Sequence, residues 1–284
     1  MNINVLEYLE MSTKLYPQKT VFADEEKEIS YEKFTEFSQT IGSYLIKKYA
    51  TKNKPIVVLI NRNVESLTMF LGITYSGNFY VPVDLELPKE RLKSMFDTIS
   101  PVAILGLEEY RDTIKEFGFE LESYENIINQ EVDKELLHMV RSRAIDTDPL
   151  YAIFTSGSTG VPKAVLVSHR SVIDLVECFK TSFGFLETEV FGNQAPFDFD
   201  VSVKDIYSTL RNGATMQIIP KQLFVFPVHL ISYLNERKIT TIIWATTALC
   251  VFQEICVSSS SQRCSRQEEA INTLLISREI IQTA

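Results

Sequence analysis

Tyr151-Ala152-Ile153-Phe154-Thr155-Ser156-Gly157-Ser158-Thr159-Gly160-Val161-Pro162-Lys163-Ala164-Val165-Leu166-Val167 places a run of hydroxyls and glycines between two apolar segments and ends that run in Pro-Lys. Glycine lets backbone N–H groups approach an anion closely, hydroxyls add donors, and lysine adds a full positive charge. A flexible linker has no reason to sit between two runs rich in strand-forming residues. The stretch therefore reads as strand, phosphate-gripping loop and second strand.

The loop is not a Walker A sequence, which needs Gly-Lys-Ser/Thr opening a helix. Here Pro162 precedes Lys163, no hydroxyl follows the lysine, and Val165 and Val167 favour strand. No G-x-G-x-x-G is present either. The nine residues Thr155 to Lys163 instead resemble the phosphate loop of the adenylate-forming enzymes, which include acyl-CoA synthetases and the amino-acid-activating domains of peptide synthetases. One departure is Ala164, where that family usually has glycine. Alanine there is strained if φ is positive and harmless if the residue is extended.

Composition narrows the class. With 284 residues, 45% of them hydrophobic, the chain can bury one large core or two small ones. A formal charge of −9 and a pI near 5.0 argue against nucleic acid as the partner. The start, Met1-Asn2-Ile3-Asn4-Val5-Leu6-Glu7, has no basic flank, and no apolar run is long enough for membrane insertion. Cys178, Cys250, Cys256 and Cys264 form no C-x-x-C pair and read as reduced thiols. The expectation is a soluble, cytoplasmic protein.

Strand-like and helix-like patterns alternate through most of the chain. Strands are expected near Ile56–Ile60, Val102–Leu105, Tyr151–Phe154 and Thr241–Trp244, with further extended stretches at Phe79–Asp84, Glu189–Pro196 and Thr215–Ile219. Helical spacing marks Tyr31–Tyr49, Glu65–Tyr75, Lys89–Ile99, Arg170–Phe179, Val201–Leu210 and His229–Arg237. Continuous apolar strands between amphipathic helices predict an α/β fold, doubly wound, with mostly parallel sheets and helices on both faces. The charged, weakly patterned segment 108–148 reads as a surface connection with helical turns, at a break between two sub-domains.

Two further stretches carry the resemblance. Gly77-Asn78-Phe79-Tyr80-Val81-Pro82-Val83-Asp84 is similar to a segment of amino-acid-activating domains, with a structural role. Phe197-Asp198-Phe199-Asp200-Val201-Ser202-Val203 resembles their Phe-Asp-x-Ser-Val segment, and Lys204-Asp205-Ile206-Tyr207 is most similar to the branch containing D-alanine–carrier protein ligases. The resemblance runs to about Phe252 and implies the N-terminal large domain of the adenylate-forming fold, incomplete at its C-terminus. Residues 1–256 are then a partial AMP-binding (adenylation) domain and 257–284 an atypical, serine-rich tail. Such enzymes normally continue with Tyr-Gly-x-Thr-Glu, Thr-Gly-Asp and a C-terminal domain bearing a catalytic lysine. None of these occurs here.

The resemblance implies ATP and Mg2+, an amino-acid substrate, and transfer to a phosphopantetheinylated carrier protein. ATP phosphates would meet Thr155, Ser156, Gly157, Ser158, Thr159 and Gly160. Lys163 would neutralise them or fix the loop through a carboxylate partner. The family's principal magnesium carboxylate lies in the absent Tyr-Gly-x-Thr-Glu segment. Asp200 either pairs with a substrate α-ammonium, its role in the resembling domains, or caps the helix opening at Val201. If 197–203 is extended, Asp198, Asp200 and Ser202 share one side, with Asp198 solvated. Lys204 falls where the family lines its side-chain pocket, or is simply exposed. Ile243 and Trp244 line the same pocket or belong to the core. His169 reads as packing or a helix-start hydrogen bond, and His138 and His229 carry no metal or hydrolytic constellation. Acyl-CoA synthetase chemistry on a non-amino acid, or a non-catalytic nucleotide-binding remnant, are the competing readings.

Overall fold

In the computed structural model, which describes residues 2–155 and 162–244, the apolar runs form ten strands. In chain order these are β1 Thr20–Ala23, β2 Glu28–Ser30, β3 Pro55–Leu59, β4 Phe79–Val83, β5 Ala103–Gly106, β6 Leu121–Ser123, β7 Pro149–Thr155, β8 Lys163–Ser168, β9 Val190–Asn193 and β10 Thr215–Ile218. They make two sheets, one ordered β6-β5-β3-β4-β7-β8 and the other β2-β1-β10-β9. Pairing is parallel except β7 with β8 and β1 with β2, so each sheet carries one antiparallel edge strand. The inner strands β4 and β5 are buried at every position, which is why they read as unbroken apolar runs.

The helices include α1 Leu6–Leu15, α2 Tyr31–Tyr49, α3 Val64–Tyr75, α4 Lys89–Ile99, α5 Arg111–Lys115, α6 Tyr124–Ile127, α7 Lys134–Arg141, α8 His169–Phe183, α9 Val201–Asn212 and α10 Pro227–Glu236. Ser30 caps α2 by accepting from the Lys33 N–H at 3.3 Å, and Asn63 caps α3 by accepting from that of Ser66 at 3.0 Å. All twelve residues of α3 are buried, so it lies inside the domain rather than on its surface. It meets α2 through two glycines. A Cβ on Gly72 would stand 2.5 Å from Ile41 Cβ, and one on Gly42 would stand 2.5 Å from Tyr75 Cβ. One hydrophobic cluster takes Val58 and Tyr80 from the larger sheet, Phe70 from α3, and Phe22 and Met216 from the smaller sheet. The two sheets therefore share a core.

Two expectations need correction. The segment 108–148 contributes an edge strand as well as helical turns, because Leu121–Ser123 pairs with β5; at three residues it is too short to show a period. The strand expected at Thr241–Trp244 is a single parallel bridge from Thr241 to Phe191, with Ile242 to Trp244 in no regular element. Trp244 turns its indole N–H onto the Gly192 carbonyl at 2.7 Å. A side chain there takes up an acceptor beside β9. Among the described residues no helix is long and apolar enough to cross a membrane.

Candidate active site at the carboxyl ends of the strands

Parallel strands bring their carboxyl ends to one edge, and open α/β sheets bind ligands there. On that edge lie Thr155 at the end of β7, Asn193 at the end of β9, Ile219 just past β10 and Arg62 three residues past β3. Arg62 joins the two sheets. Its guanidinium donates to the carbonyls of Asn193, Gln194, Ala195 and Ile219 at 2.9–3.1 Å, and to Asn193 Oδ1 at 3.2 Å. Burial draws its pKa down to about 10, opposed by the charge of Asp205. Nothing in the sequence singled out Arg62, since a lone arginine after a strand has no signature.

The hairpin of β7 and β8 closes the phosphate loop. Thr155 stands opposite Lys163, and its hydroxyl donates to the Lys163 carbonyl at 3.4 Å. The Lys163 side chain is exposed and makes no ion pair among the described residues, while Pro162 beside it is buried. The expected positions Ser156, Gly157, Ser158, Thr159 and Gly160 lie outside the described residues. Ala164 is extended opposite Phe154, so the missing glycine imposes no strain there. Two cavities, of about 290 and 490 Å3, are lined by neither Thr155 nor Lys163.

Phe197 to Val203 is not an extended segment. The Phe199 N–H donates to the Pro196 carbonyl at 3.1 Å, and Ser202 returns both its N–H and its hydroxyl to the Phe199 carbonyl at 3.0 and 2.7 Å. A turn running into α9 replaces the alternation, and three polar residues expected on one side are dispersed. Ser202 is buried, Asp200 is exposed, and Asp198 is half-buried rather than solvated. Burial, with Asp84 adding repulsion, raises the Asp198 pKa. Asp200 occupies the N-cap position of α9 with helical φ and ψ and makes no capping hydrogen bond. Its charge reaches two neighbours. Tyr151 is pushed up to about 12 by burial and then by Asp200, and Lys204, lowered by burial, is partly restored by Asp205 and Asp200.

Lys204 is not a surface lysine. Its side chain is 14% exposed, and its ammonium donates to the Val201 carbonyl at 2.9 Å and lies 3.9 Å from Asp205 Oδ1. Asp205, 1% exposed, accepts from Asn193 Nδ2 at 3.0 Å on Oδ2, while Oδ1 faces Lys204 without a hydrogen bond. Burial raises its pKa to about 6. Tyr80 and Tyr207 share a hydroxyl contact at 3.1 Å, and Tyr80 stacks on Phe70 and Tyr151, which locks β4, β7 and α9 together behind Asp200. Ile243 and Trp244 are both buried, Ile243 within the main core.

His169 opens α8 and is buried, with Nδ1 accepting from the Val5 N–H at 3.3 Å. Burial, then the charge of Arg141, lowers its pKa to about 4. His138 is exposed on α7, and His229 lies beside the Phe226 ring. Among the described residues no group of three or more His, Cys, Asp or Glu could hold a metal ion. Mg2+ bound with ATP takes most of its ligands from phosphates and water and needs one or two carboxylates rather than such a cluster.

Comparison with known proteins agrees with this geometry. The chain is 28% identical to the D-alanine–D-alanyl carrier protein ligase of Bacillus cytotoxicus over 266 residues, covering 91% of this chain and 50% of that one. The ligase of the same name from Bacillus mycoides is likewise 28% identical over 260 residues, with the same coverage. The chain thus spans about half the length of the curated relatives it matches. Among solved structures, VinN superposes with a TM-score of 0.71 at 18% identity, covering 85% of this chain and 64% of that one. The N-terminal subdomain of Klebsiella oxytoca NpsA, in complex with 3-hydroxyanthranilyl-AMSN, gives 0.73 at 18%, covering 90% and 63%. Residues 9–272 match the AMP-binding enzyme family, a span reaching beyond Phe252, where the recognisable motifs end. With the β7–β8 hairpin flanking the loop segment, polar residues gathered at the strand ends and a family match over nearly its whole length, the chain belongs to the AMP-binding enzyme family.

Proposed function

We propose that this edge is the ATP and amino-acid half-site of a ligase that activates an amino acid as its aminoacyl-adenylate for transfer to a carrier-protein thiol. In that reaction a carboxylate oxygen attacks the α-phosphorus of ATP, the bond to the β-phosphate oxygen breaks, and pyrophosphate leaves. The thiol of a phosphopantetheine arm then attacks the acyl carbon, losing its proton, and AMP departs. Charge develops on phosphoryl oxygens, so the protein's part is positioning and electrostatic stabilisation. The loop from Thr155 would grip the phosphates, with Lys163 supplying a positive charge. Asp200 would hold the α-ammonium, while Lys204 and Ile243 would border the side-chain pocket.

The observation that carries this reading is Asp200. It sits where a helix cap is expected yet makes no capping bond, and its charge is felt by Tyr151 on β7. Thr155 is four residues along the same strand, roughly 13 Å away at 3.3 Å per residue. A small amino acid and a phosphate chain could lie end to end over that distance. A carboxylate here would oppose an apolar acid, which offers it no partner. The similarity to D-alanine–D-alanyl carrier protein ligases supports an amino-acid substrate and a carrier partner.

Saturation-transfer NMR on the chain with ATP present, comparing D-alanine with propionate, tests it. D-Alanine should show binding that Asp200→Asn abolishes, whereas any propionate signal should be unchanged by Asp200→Asn. Propionate binding lost with Asp200→Asn, or D-alanine binding indifferent to Asp200, would move the chain to non-amino acids.

A further inference from the structure

The opposite edge of the larger sheet carries a second polar cavity. Lys52 precedes β3, Gly77 precedes β4 and Asp148 precedes β7, and all three line a cavity of about 290 Å3 at the amino ends of these strands. The proposed active site lies at the carboxyl ends, so the two are separated by the length of the strands.

Two buried donors at this cavity lack a hydrogen-bond partner among the described residues. Tyr75 is 7% exposed, and its hydroxyl lies near Gln39 and Glu10 but outside hydrogen-bond geometry to either; Arg141 Nη1 likewise has no hydrogen-bond partner among the described residues. On its other nitrogen Arg141 faces Glu7 and Glu10 at 3.7 Å each, beyond hydrogen-bond range. Glu7 is already engaged by the N–H groups of Ile3 and Asn4 at 2.9 and 3.1 Å. His169 also lines the cavity, with Nδ1 accepting from the Val5 N–H and the proton of the neutral ring on Nε2. Buried donors left without acceptors are costly, and a native site usually supplies what they lack.

The missing partner is an acceptor with at least two oxygens. Leu137 and Val140 give the cavity an apolar wall, which suits a short alkyl chain rather than a bare inorganic ion. Glu10 at the rim, its carboxyl raised by loss of hydration, disfavours a dianion. We propose that this cavity is a binding site for a small monocarboxylate, held by Arg141 and Tyr75 with its alkyl chain against Leu137 and Val140. The site is distinct from the ATP and amino-acid edge and does not depend on the function proposed for it.

Calorimetric titration of the 284-residue chain with butyrate, n-butylammonium and inorganic phosphate tests the assignment. Butyrate should bind saturably and the other two should not. Arg141→Gln should weaken butyrate about tenfold or more, as expected for a lost charge-assisted bond, and Tyr75→Phe severalfold. Lys163→Ala, at the other edge, should leave it unchanged. No saturable binding, binding indifferent to both cavity variants, preference for phosphate, or loss in Lys163→Ala would each overturn the proposal. Because a cavity variant could fail to fold, wild-type crystals soaked in 4-bromobutyrate give an independent reading. The bromine peak should lie beside Leu137 and Val140, and its absence there would overturn the assignment equally.

Discussion

Arg62 and Asn193 join the two sheets at their carboxyl edge, the guanidinium Nη2 donating to both the backbone carbonyl and the side-chain oxygen of Asn193 at 3.0 and 3.2 Å. The same guanidinium satisfies the carbonyls of Gln194, Ala195 and Ile219. Replacing Arg62 by alanine leaves these oxygens without their donor, so a loss of about 3 kcal/mol in urea unfolding is expected. Arg62→Lys should recover less than half of that, because an ammonium cannot reproduce a planar fork. Equal stability of the lysine variant and wild type would reduce the role of Arg62 to charge alone.

Two buried groups pull stability in opposite directions as the pH falls. His169 has its pKa lowered to about 4 by burial, against an ordinary 6.5. Between those values the unfolded chain binds the proton and the folded one does not, so stability drops on acidification, by about 2 kcal/mol at pH 4.5. Asp205 has its pKa raised to about 6 by burial, against 3.8. Here the folded state takes the proton first, so stability rises as pH falls through that window. His169→Asn keeps an acceptor for the Val5 N–H without titrating and should make the chain gain stability from pH 7 to 4.5 relative to wild type. Asp205→Asn should be neutral or stabilising at pH 7 and should lose the gain on acidification. Urea midpoints at the two pH values check both, and unchanged profiles would contradict the burial argument.

What the sequence disclosed follows from how locally each feature is encoded. The helices Tyr31–Tyr49 and Lys89–Ile99 matched residue for residue, since one buried face repeats over several turns. The hairpin around the phosphate loop was legible because strand-forming runs flank Gly and Pro. The turn at Phe197–Asp200 was not, because hydrophobic alternation over four residues also fits a turn feeding a helix. Arg62 and Asp205 were invisible for a different reason. Their roles depend on partners more than a hundred residues away or on burial, and neither leaves a local pattern.

Lys163 is exposed beside the buried Pro162, at the mouth of the hairpin. If it meets ATP phosphates, Lys163→Ala should weaken binding of a fluorescent ATP analogue by about 1.5–3 kcal/mol, the range for a charge-assisted bond. The loss should shrink as salt is raised, because the site is open to screening. An alanine variant that binds the analogue like wild type would assign the lysine to the solvated surface.

A polypeptide of these 284 residues should show no amino-acid-dependent ATP–pyrophosphate exchange above background. By family resemblance, exchange draws on the phosphate loop, a ribose-holding aspartate, a magnesium carboxylate and closure by a domain bearing a catalytic lysine. Only the first has a counterpart in this sequence. Groups that act on one transition state are strongly non-additive, so the loss of several leaves little residual rate even where binding survives. Weak ATP binding with silent exchange is therefore the expected pair of results. Exchange with any single amino acid, abolished by Asp200→Asn, would show that residues beyond Trp244 supply chemistry that no recognised motif marks.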